Sequence, residues 1–307
     1  MKQKLRTQIE SESIMKTNAD PSPHGLNNTC ERERAFTLTD LLVVMVTLAI
    51  LAAVMLPALG RSGDNGMRMA CLNNLRQLGM AQNMYTGENQ DYMPWPNWGT
   101  DCSPVPAGWL YGPCGPNTPN DQTAATPANW STRRVANLKT GVYWQYLQNP
   151  DVFICPVFAS VVVGSHATAF PGFNWQGYLN KLSSYCMNGA SAFFPALGKN
   201  NLYQYRTCKA SQIWSPSCII LWEPDGRVGS GNGDGYNDGA NYPNSTEGVS
   251  ILHVTGANVL AVGGSSRFMS FADFLAELNN PPQSQIHAPK GLLWWNPNQQ
   301  NGHGVGI

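Results

Sequence analysis

Charged residues are scarce in this chain of 307 residues, since Asp, Glu, Lys and Arg make up 12% of it, about half of the roughly 25% in an ordinary soluble domain. The 19 basic and 19 acidic side chains also balance, which leaves a net charge of zero. A neutral chain has no basic field to hold nucleic-acid phosphates, so we expect no nucleic acid among its partners. With 42% hydrophobic residues, the chain can bury a core and is not disordered.

The usual motifs of zinc ribbons and of enzymes are missing as well. The eight cysteines stand singly, with no Cys-x-x-Cys pair, which argues against a zinc ribbon or a thioredoxin-type redox site. The five histidines lack metalloprotease spacing, and the Gly-rich run at 229–235 precedes no helical pattern. We therefore expect a protein that is not an enzyme. We interpret the cysteines as partly disulfide-bonded outside the cytoplasm, with their connectivity open.

The strongest positive signal is an apolar run at residues 35–59, AFTLTDLLVVMVTLAILAAVMLPAL, in which Asp40 is the only ionisable side chain. Residues 36–59 would form a helix roughly 36 Å long, enough to cross a hydrocarbon core of ~30 Å. Basic residues precede the run, and Arg32 and Arg34 lie next to it. This charge bias keeps the N-terminus in the cytoplasm and the C-terminal bulk outside. The pattern predicts a transmembrane helix over 36–59.

This run resembles the class III signal and N-terminal helix of type IV pilins and type II secretion pseudopilins. In that family a prepilin peptidase cleaves before the apolar run and N-methylates the new first residue, usually Phe. The resemblance implies a cut between Ala35 and Phe36, with Asp40 fifth and Pro57 twenty-second in the mature chain, where such proteins carry an acid and a helix-kinking proline. The family usually has Gly before the cut and Glu at the fifth place. A conventional secretory signal cleaved near Ala53 is the alternative.

The resemblance gives Asp40 a role in assembly. Cleavage would create a positive amine at Phe36, and a carboxylate one helical turn along can neutralise that amine on its own chain or on a neighbour. The alternative is that Asp40 lies at the membrane interface with its carboxylate among the headgroups. The implied partners are prepilin peptidase, other pseudopilin subunits and the inner membrane. The implied location is a single pass through that membrane, with the C-terminal domain in the periplasm or at the cell surface.

The rest of the chain indicates an α+β fold in which a long N-terminal helix, transmembrane and then amphipathic, packs on an antiparallel sheet. Glycines at 60, 63 and 66 predict a flexible break, and apolar residues then recur at helical spacing. We divide the chain as follows: leader 1–35, transmembrane helix 36–59, amphipathic helix 60–93, Pro-, Cys- and Trp-rich insertion 94–130, and β-rich globular domain 131–307. Strands are predicted at 152–154, 184–187, 218–222, 249–253, 258–262 and 267–269. Ser270 and Asp273 predict a capped helix over 271–278.

A second motif of the same family resemblance lies near the C-terminus. His253 is followed by nine residues and then by Gly263 and Gly264, which resembles the H-x9-DG motif of prepilin-type proteins with Gly263 in place of Asp. The resemblance continues in three patches: CLNNLRQLG at 71–79, FICP at 153–156 and SYCMN at 184–188. Because no nucleophile motif accompanies His253, we interpret it as a structural residue.

Two further sites are predicted from local patterns. A glycine-rich loop carries four acids that could ligate calcium, with a solvated loop as the alternative. These acids are Glu223, Asp225, Asp234 and Asp238. Cys102 and Cys114 bracket a turn-rich loop, and a disulfide between them would contribute ~3 kcal/mol. The alternative is two buried or differently paired thiols.

These observations favour a pseudopilin-like structural subunit of a type II secretion or type IV pilus-like assembly, processed by prepilin peptidase and N-methylated. The alternative function is a membrane-anchored, surface-displayed module that binds a glycan or a protein. Exposed tryptophans stack on sugar rings or on apolar patches, and four of them crowd the insertion: Trp95, Trp98, Trp109 and Trp130.

Overall fold

The computed structural model describes nine segments of the chain: 37–98, 106–112, 130–162, 182–194, 206–224, 238–244, 247–278, 290–298 and residue 302. Side chains are described within these segments except at 54–64, 130, 131, 133, 161 and 162. Several predicted site residues lie outside the described segments: Ala35, Phe36, Cys102, Cys114, Asp225 and Asp234.

Helix α1, Leu38–Glu88, is a single helix of 51 residues. The break predicted at Gly60, Gly63 and Gly66 is wrong, because the backbone is helical throughout this stretch. A glycine costs a helix only about 1 kcal/mol relative to alanine, which is too little to end a helix that has helix-forming sequence on both sides. Pro57 also lies inside α1.

The first turn of α1 is closed by a reciprocal pair of side chains. The Thr37 hydroxyl donates to Asp40 Oδ2 at 2.7 Å, and the Asp40 amide donates back to that hydroxyl at 3.2 Å. The Thr37 amide also donates to Asp40 Oδ2, at 3.1 Å. This is a capping box in which Asp takes the place of the usual Glu. Asp40 thus has a local role in starting α1.

The predicted transmembrane helix at 36–59 is wrong. Among the described residues, none of the helices combines the length and the apolar character that a membrane span needs.

The α+β class is confirmed, but the sheet is mixed and not antiparallel. Its five strands lie in the order β3-β1-β2-β4-β5, and β1 and β3 pair in parallel while the other pairs are antiparallel. The strands are β1 Cys186–Asn188, β2 Ile219–Trp222, β3 Ala240–Asn241, β4 Gly256–Ala261 and β5 Ser266–Ser270. Strand β3 follows β2 in the chain, yet it lies on the far side of β1 and pairs with β1 in parallel.

Two predicted strands are absent from the described residues. Residues 152–154 overlap a 3-10 turn, Pro150–Phe153, which begins where the Asn149 side chain accepts a hydrogen bond from the Asp151 amide. Residues 249–253 contribute one isolated bridge, between Val249 and Pro224. The shorter helices are α2 Trp130–Leu138, α3 Trp144–Leu147, α4 Pro156–Val162 and α5 Phe271–Leu278.

The chain divides into two compact units, Met1–Val54 and Met55–Ile307, and the core lies in the second. Four apolar residues of α1 face this core and are buried: Cys71, Leu75, Leu78 and Ala81. All residues of β2 and β4 are buried as well. Helix α1 contacts the β4–β5 hairpin directly, because the Gln82 side chain donates a hydrogen bond to the Val262 carbonyl at 3.1 Å. The apolar stripe of the helix and the strands therefore form one core.

Candidate metal centre

Four side chains from separate parts of the fold converge in the core. Cys71 comes from α1, Cys155 precedes α4, Glu223 follows β2, and His253 lies in the turn before β4. Their donor atoms all lie within 4.8 Å of one another. The side chains of Glu223 and His253 are 0% and 3% exposed, and both cysteines are 0% exposed. We call this set the buried cluster.

Direct contacts link the members of the buried cluster. The Cys71 thiol donates to Glu223 Oε1 at 3.0 Å, and the other carboxylate oxygen, Oε2, lies 3.2 Å from His253 Nε2. Cys155 Sγ lies 3.6 Å from the same nitrogen. The carboxylate therefore joins the thiol of α1 to the imidazole beside the sheet.

A second layer of groups orients these side chains. The Asn258 amide donates to Glu223 Oε2 at 2.8 Å, and its side-chain nitrogen lies 3.0 Å from His253 Nε2. Tyr185 Oη lies 3.3 Å from Cys71 Sγ, and the Cys155 amide donates to the Ser184 hydroxyl at 2.6 Å. Every member of the buried cluster thus has a fixed neighbour outside it.

The turn that carries His253 is strained. Val254 has a φ of +76°, a conformation that is costly for a β-branched residue, by about 1–3 kcal/mol. The His253 amide donates to the Gly256 carbonyl at 3.0 Å and closes the turn. The Ser250 amide donates to the Glu223 carbonyl at 2.8 Å, so the backbone segments of Glu223 and His253 are held side by side.

Burial and mutual contact shift the pKa values within the buried cluster. Burial raises the pKa of the Cys155 thiol well above its ordinary value. Burial also acts to raise the pKa of Glu223, but the hydrogen bond and charge of His253 outweigh it and the pKa is lowered. Burial acts to lower the pKa of His253, and the contacts with Cys71 and Glu223 overcome it, raising the pKa to about 9. When no metal ion is bound, Glu223 is therefore a buried, negatively charged carboxylate beside a protonated, positively charged His253 imidazole.

The H-x9-DG-like segment divides between this site and a turn. His253 belongs to the buried cluster, whereas Gly263 and Gly264 form the tip of the β4–β5 hairpin. A Cβ on Gly263 would lie 2.9 Å from the Pro216 side chain and 3.0 Å from its carbonyl oxygen. Any side chain at position 263 would therefore crowd Pro216.

The predicted calcium ligands that the structure describes belong to different surroundings. Glu223 faces Cys71 and His253, whereas Asp238 is buried and accepts a hydrogen bond from the Ala240 amide at 2.8 Å. The calcium site as a whole stays a prediction, because its other two acids lie outside the described segments.

Sequence reasoning did not bring Cys71 and Cys155 together with Glu223 and His253. Cys71 and Glu223 are 152 residues apart along the chain, and Cys155 and His253 are 98 residues apart. Metal sites that are read from sequence rely on ligands a few residues apart, so no spacing rule applies here. The available signal was that Cys71, Cys155 and His253 fall in the segments that resemble the prepilin-type family.

No protein-family model, curated protein or solved structure matches this chain. The resemblance to pilins and pseudopilins therefore remains a prediction that rests on the motif residues alone.

Proposed function

We propose that this protein is a pseudopilin-like structural subunit that assembles through the first part of α1. The observation that supports this proposal is the apolar surface of that segment. Ten of the fourteen residues from 38 to 51 are large hydrophobic residues that are 45–84% exposed. They are Leu38, Leu41, Leu42, Val43, Val44, Met45, Val46, Leu48, Ile50 and Leu51.

Such a helix needs a partner on more than one side. A helix that is apolar all round is typical of a buried element, and full burial of one such side chain is worth about 1.5–3 kcal/mol. We propose that the partners are the equivalent helices of neighbouring subunits, packed side by side.

Asp40 supplies the polar element of the proposed packing. It is the one ionisable residue between 36 and 59, and it lies exposed in the first turn of α1. In the proposal, prepilin peptidase cleaves between Ala35 and Phe36, and the new amine of a neighbouring subunit pairs with this carboxylate. A charge pair within an apolar contact fixes the register of the helices, because a mismatched register leaves a charge unpaired.

The competing binding module has less support from the structure. Trp95 and Trp109 are buried in the core, and Trp98 packs edge-on against Tyr242 with ring centroids 4.3 Å apart. The buried rings of Trp95 and Trp109 offer no face on which a sugar can stack, whereas the side chain of Trp130 lies outside those described.

A crosslinking experiment in cells of the native host tests the proposal. Val46→Cys places a thiol in the exposed apolar segment, and Met80→Cys is the matched control, because both side chains are about half exposed on the same helix. We expect a bismaleimide to join Val46→Cys subunits into dimers and larger species and to leave Met80→Cys largely monomeric. Equal crosslinking of the two variants, or none in either, would contradict assembly through this segment.

A further inference from the structure

We infer that one zinc ion is bound by the four side chains of the buried cluster: Cys71, Cys155, Glu223 and His253. The ion would tie α1 to the sheet. This inference is independent of the proposed function, since it rests on the core and not on the exposed part of α1.

The chemistry of the donors selects the metal. Two thiols and one imidazole form a borderline-soft set that suits zinc, whereas calcium and magnesium require oxygen ligands. The single carboxylate is also a known type of zinc ligand. With both thiols deprotonated and a neutral imidazole, the ligands carry three negative charges, and a divalent ion compensates most of this charge inside the core.

The distances fit a tetrahedral ion. Zinc bonds of ~2.3 Å to sulfur and ~2.0–2.1 Å to nitrogen or oxygen imply donor separations of about 3.4 Å between nitrogen and oxygen and about 3.6 Å from sulfur to either. The Glu223–His253 separation is 3.2 Å and the Cys155–His253 separation is 3.6 Å. Cys71 Sγ lies 3.0 Å from Glu223 Oε1, whereas the separation from His253 is that of the other carboxylate oxygen, Oε2. Small shifts of side chains already in place therefore accommodate the ion.

Hydrogen bonding alone leaves the buried cluster poorly satisfied. The Nε2 atom of His253 has one bonding position, yet Glu223, Cys155 and Asn258 all approach it within 3.6 Å. One proton serves only one of these contacts well. A metal ion among the four donors uses the lone pair of Nε2 and one from each other ligand, so it satisfies all four side chains together.

The surroundings indicate a structural site and not a catalytic one. All four positions of a tetrahedral ion are taken by protein ligands, which leaves no place for a water or a substrate. Asn258 and Tyr185 supply the outer contacts that hold zinc ligands in orientation. The ion would join segments that are distant in sequence, as structural zinc ions do.

Metal analysis of the full chain tests the inference. The protein is purified without chelator, and its zinc content is measured by inductively coupled plasma mass spectrometry, with about one ion per chain expected. The zinc is then removed under reducing conditions and replaced by Co²⁺, which should give the intense visible absorption of a tetrahedral cobalt–thiolate site. A chain that contains no zinc when isolated, and afterwards binds neither Zn²⁺ nor Co²⁺, overturns the inference.

Variants locate the ion. Cys71→Ser and His253→Ala should lose the zinc, while Cys218→Ser should keep it, because Cys218 is a buried thiol outside the buried cluster. Tyr185→Phe retains all four ligands and removes only the hydroxyl beside Cys71. Zinc should therefore stay bound, with an affinity lower by roughly tenfold, which is the smallest loss expected when a group that contacts a ligand is removed. Zinc affinity that is unchanged in Cys71→Ser and His253→Ala overturns the assignment.

A disulfide between Cys71 and Cys155 is the competing outcome. It would lower the intact mass of the unreduced chain by two hydrogens and yield a linked peptide after digestion. Finding this bond in protein from the native host overturns the zinc site, because a disulfide removes both thiolate ligands.

Discussion

The close contact between α1 and the β4–β5 hairpin leads to a test of the packing. Gly79 lies on α1 where a Cβ would be 3.1 Å from Leu260 Cδ1 and 3.2 Å from Gly264 Cα. Gly66 lies on the same helix, and a Cβ there would meet nothing within 4 Å. The two glycines therefore offer the same substitution in a crowded and in an open position.

Replacement by alanine should have opposite effects at the two positions. In the open position, Gly66→Ala should raise the free energy of unfolding by about 1 kcal/mol, because alanine favours the helix. Gly79→Ala gains the same stability from helix propensity, but overpacking of its Cβ against a buried leucine and a backbone atom costs about 1–3 kcal/mol. The net change for Gly79→Ala is therefore a loss of roughly 0–2 kcal/mol, and the two variants should differ by about 1–3 kcal/mol.

Urea unfolding of the full chain, followed by tryptophan fluorescence and by circular dichroism, measures this difference. The melting temperatures should differ in the same direction, at roughly 2–4 °C for each kcal/mol in a protein of this size. If Gly79→Ala stabilises the protein as much as Gly66→Ala does, the close packing of α1 on the hairpin is refuted.

Three other predictions concern the N-terminus and one pH-sensitive contact. Intact-mass analysis of protein from the native host should show a chain that begins at methylated Phe36, and a chain that still begins at Met1 would contradict this. Asp40→Ala should reduce crosslinking of Val46→Cys subunits, whereas Asp40→Glu should preserve it; equal crosslinking in both would exclude a role for the carboxylate. Burial and the hydrogen bond to Glu88 raise the pKa of Tyr146 to about 12, so its contribution to stability is full below pH ~10 and is lost as pH rises towards 12. Tyr146→Phe should lessen the loss of stability between these values in alkaline melting curves, and an identical pH dependence would contradict the shift.

Elements with a local cause were predictable from the sequence. The helix over 271–278 is confirmed as α5, and its predicted cap is present, since the Ser270 hydroxyl donates to Asp273 Oδ2 at 2.6 Å and accepts from the Asp273 amide at 3.0 Å. The apolar residues that recur at helical spacing after the glycines include Cys71 and Leu75, and both are buried. In each case the information lies within a few residues of the feature.

Elements that depend on distant partners were not predictable. Strand β3 is only two residues long, Ala240–Asn241, and pairs with β1 in parallel, so it has neither an alternating pattern nor a hairpin turn to reveal it. The glycines at 60, 63 and 66 also gave a wrong prediction, a break in α1. The low helix propensity of glycine is a weak local effect, and the helix-forming sequence on both sides outweighs it. The buried cluster is the extreme case, since each ligand is specified by a different segment of the chain.

The composition of the buried cluster itself argues for a bound ion. A carboxylate and an imidazole buried in a core are expensive to desolvate, and well-packed apolar residues in their place are often as stable or more so. Glu223 is 0% exposed and His253 3% exposed in their side chains, and the backbone at Val254 is strained beside them. A core that only had to pack would gain nothing from this arrangement. A core that binds zinc needs these donors, because the binding energy of the ion is then part of the folding energy and offsets their desolvation.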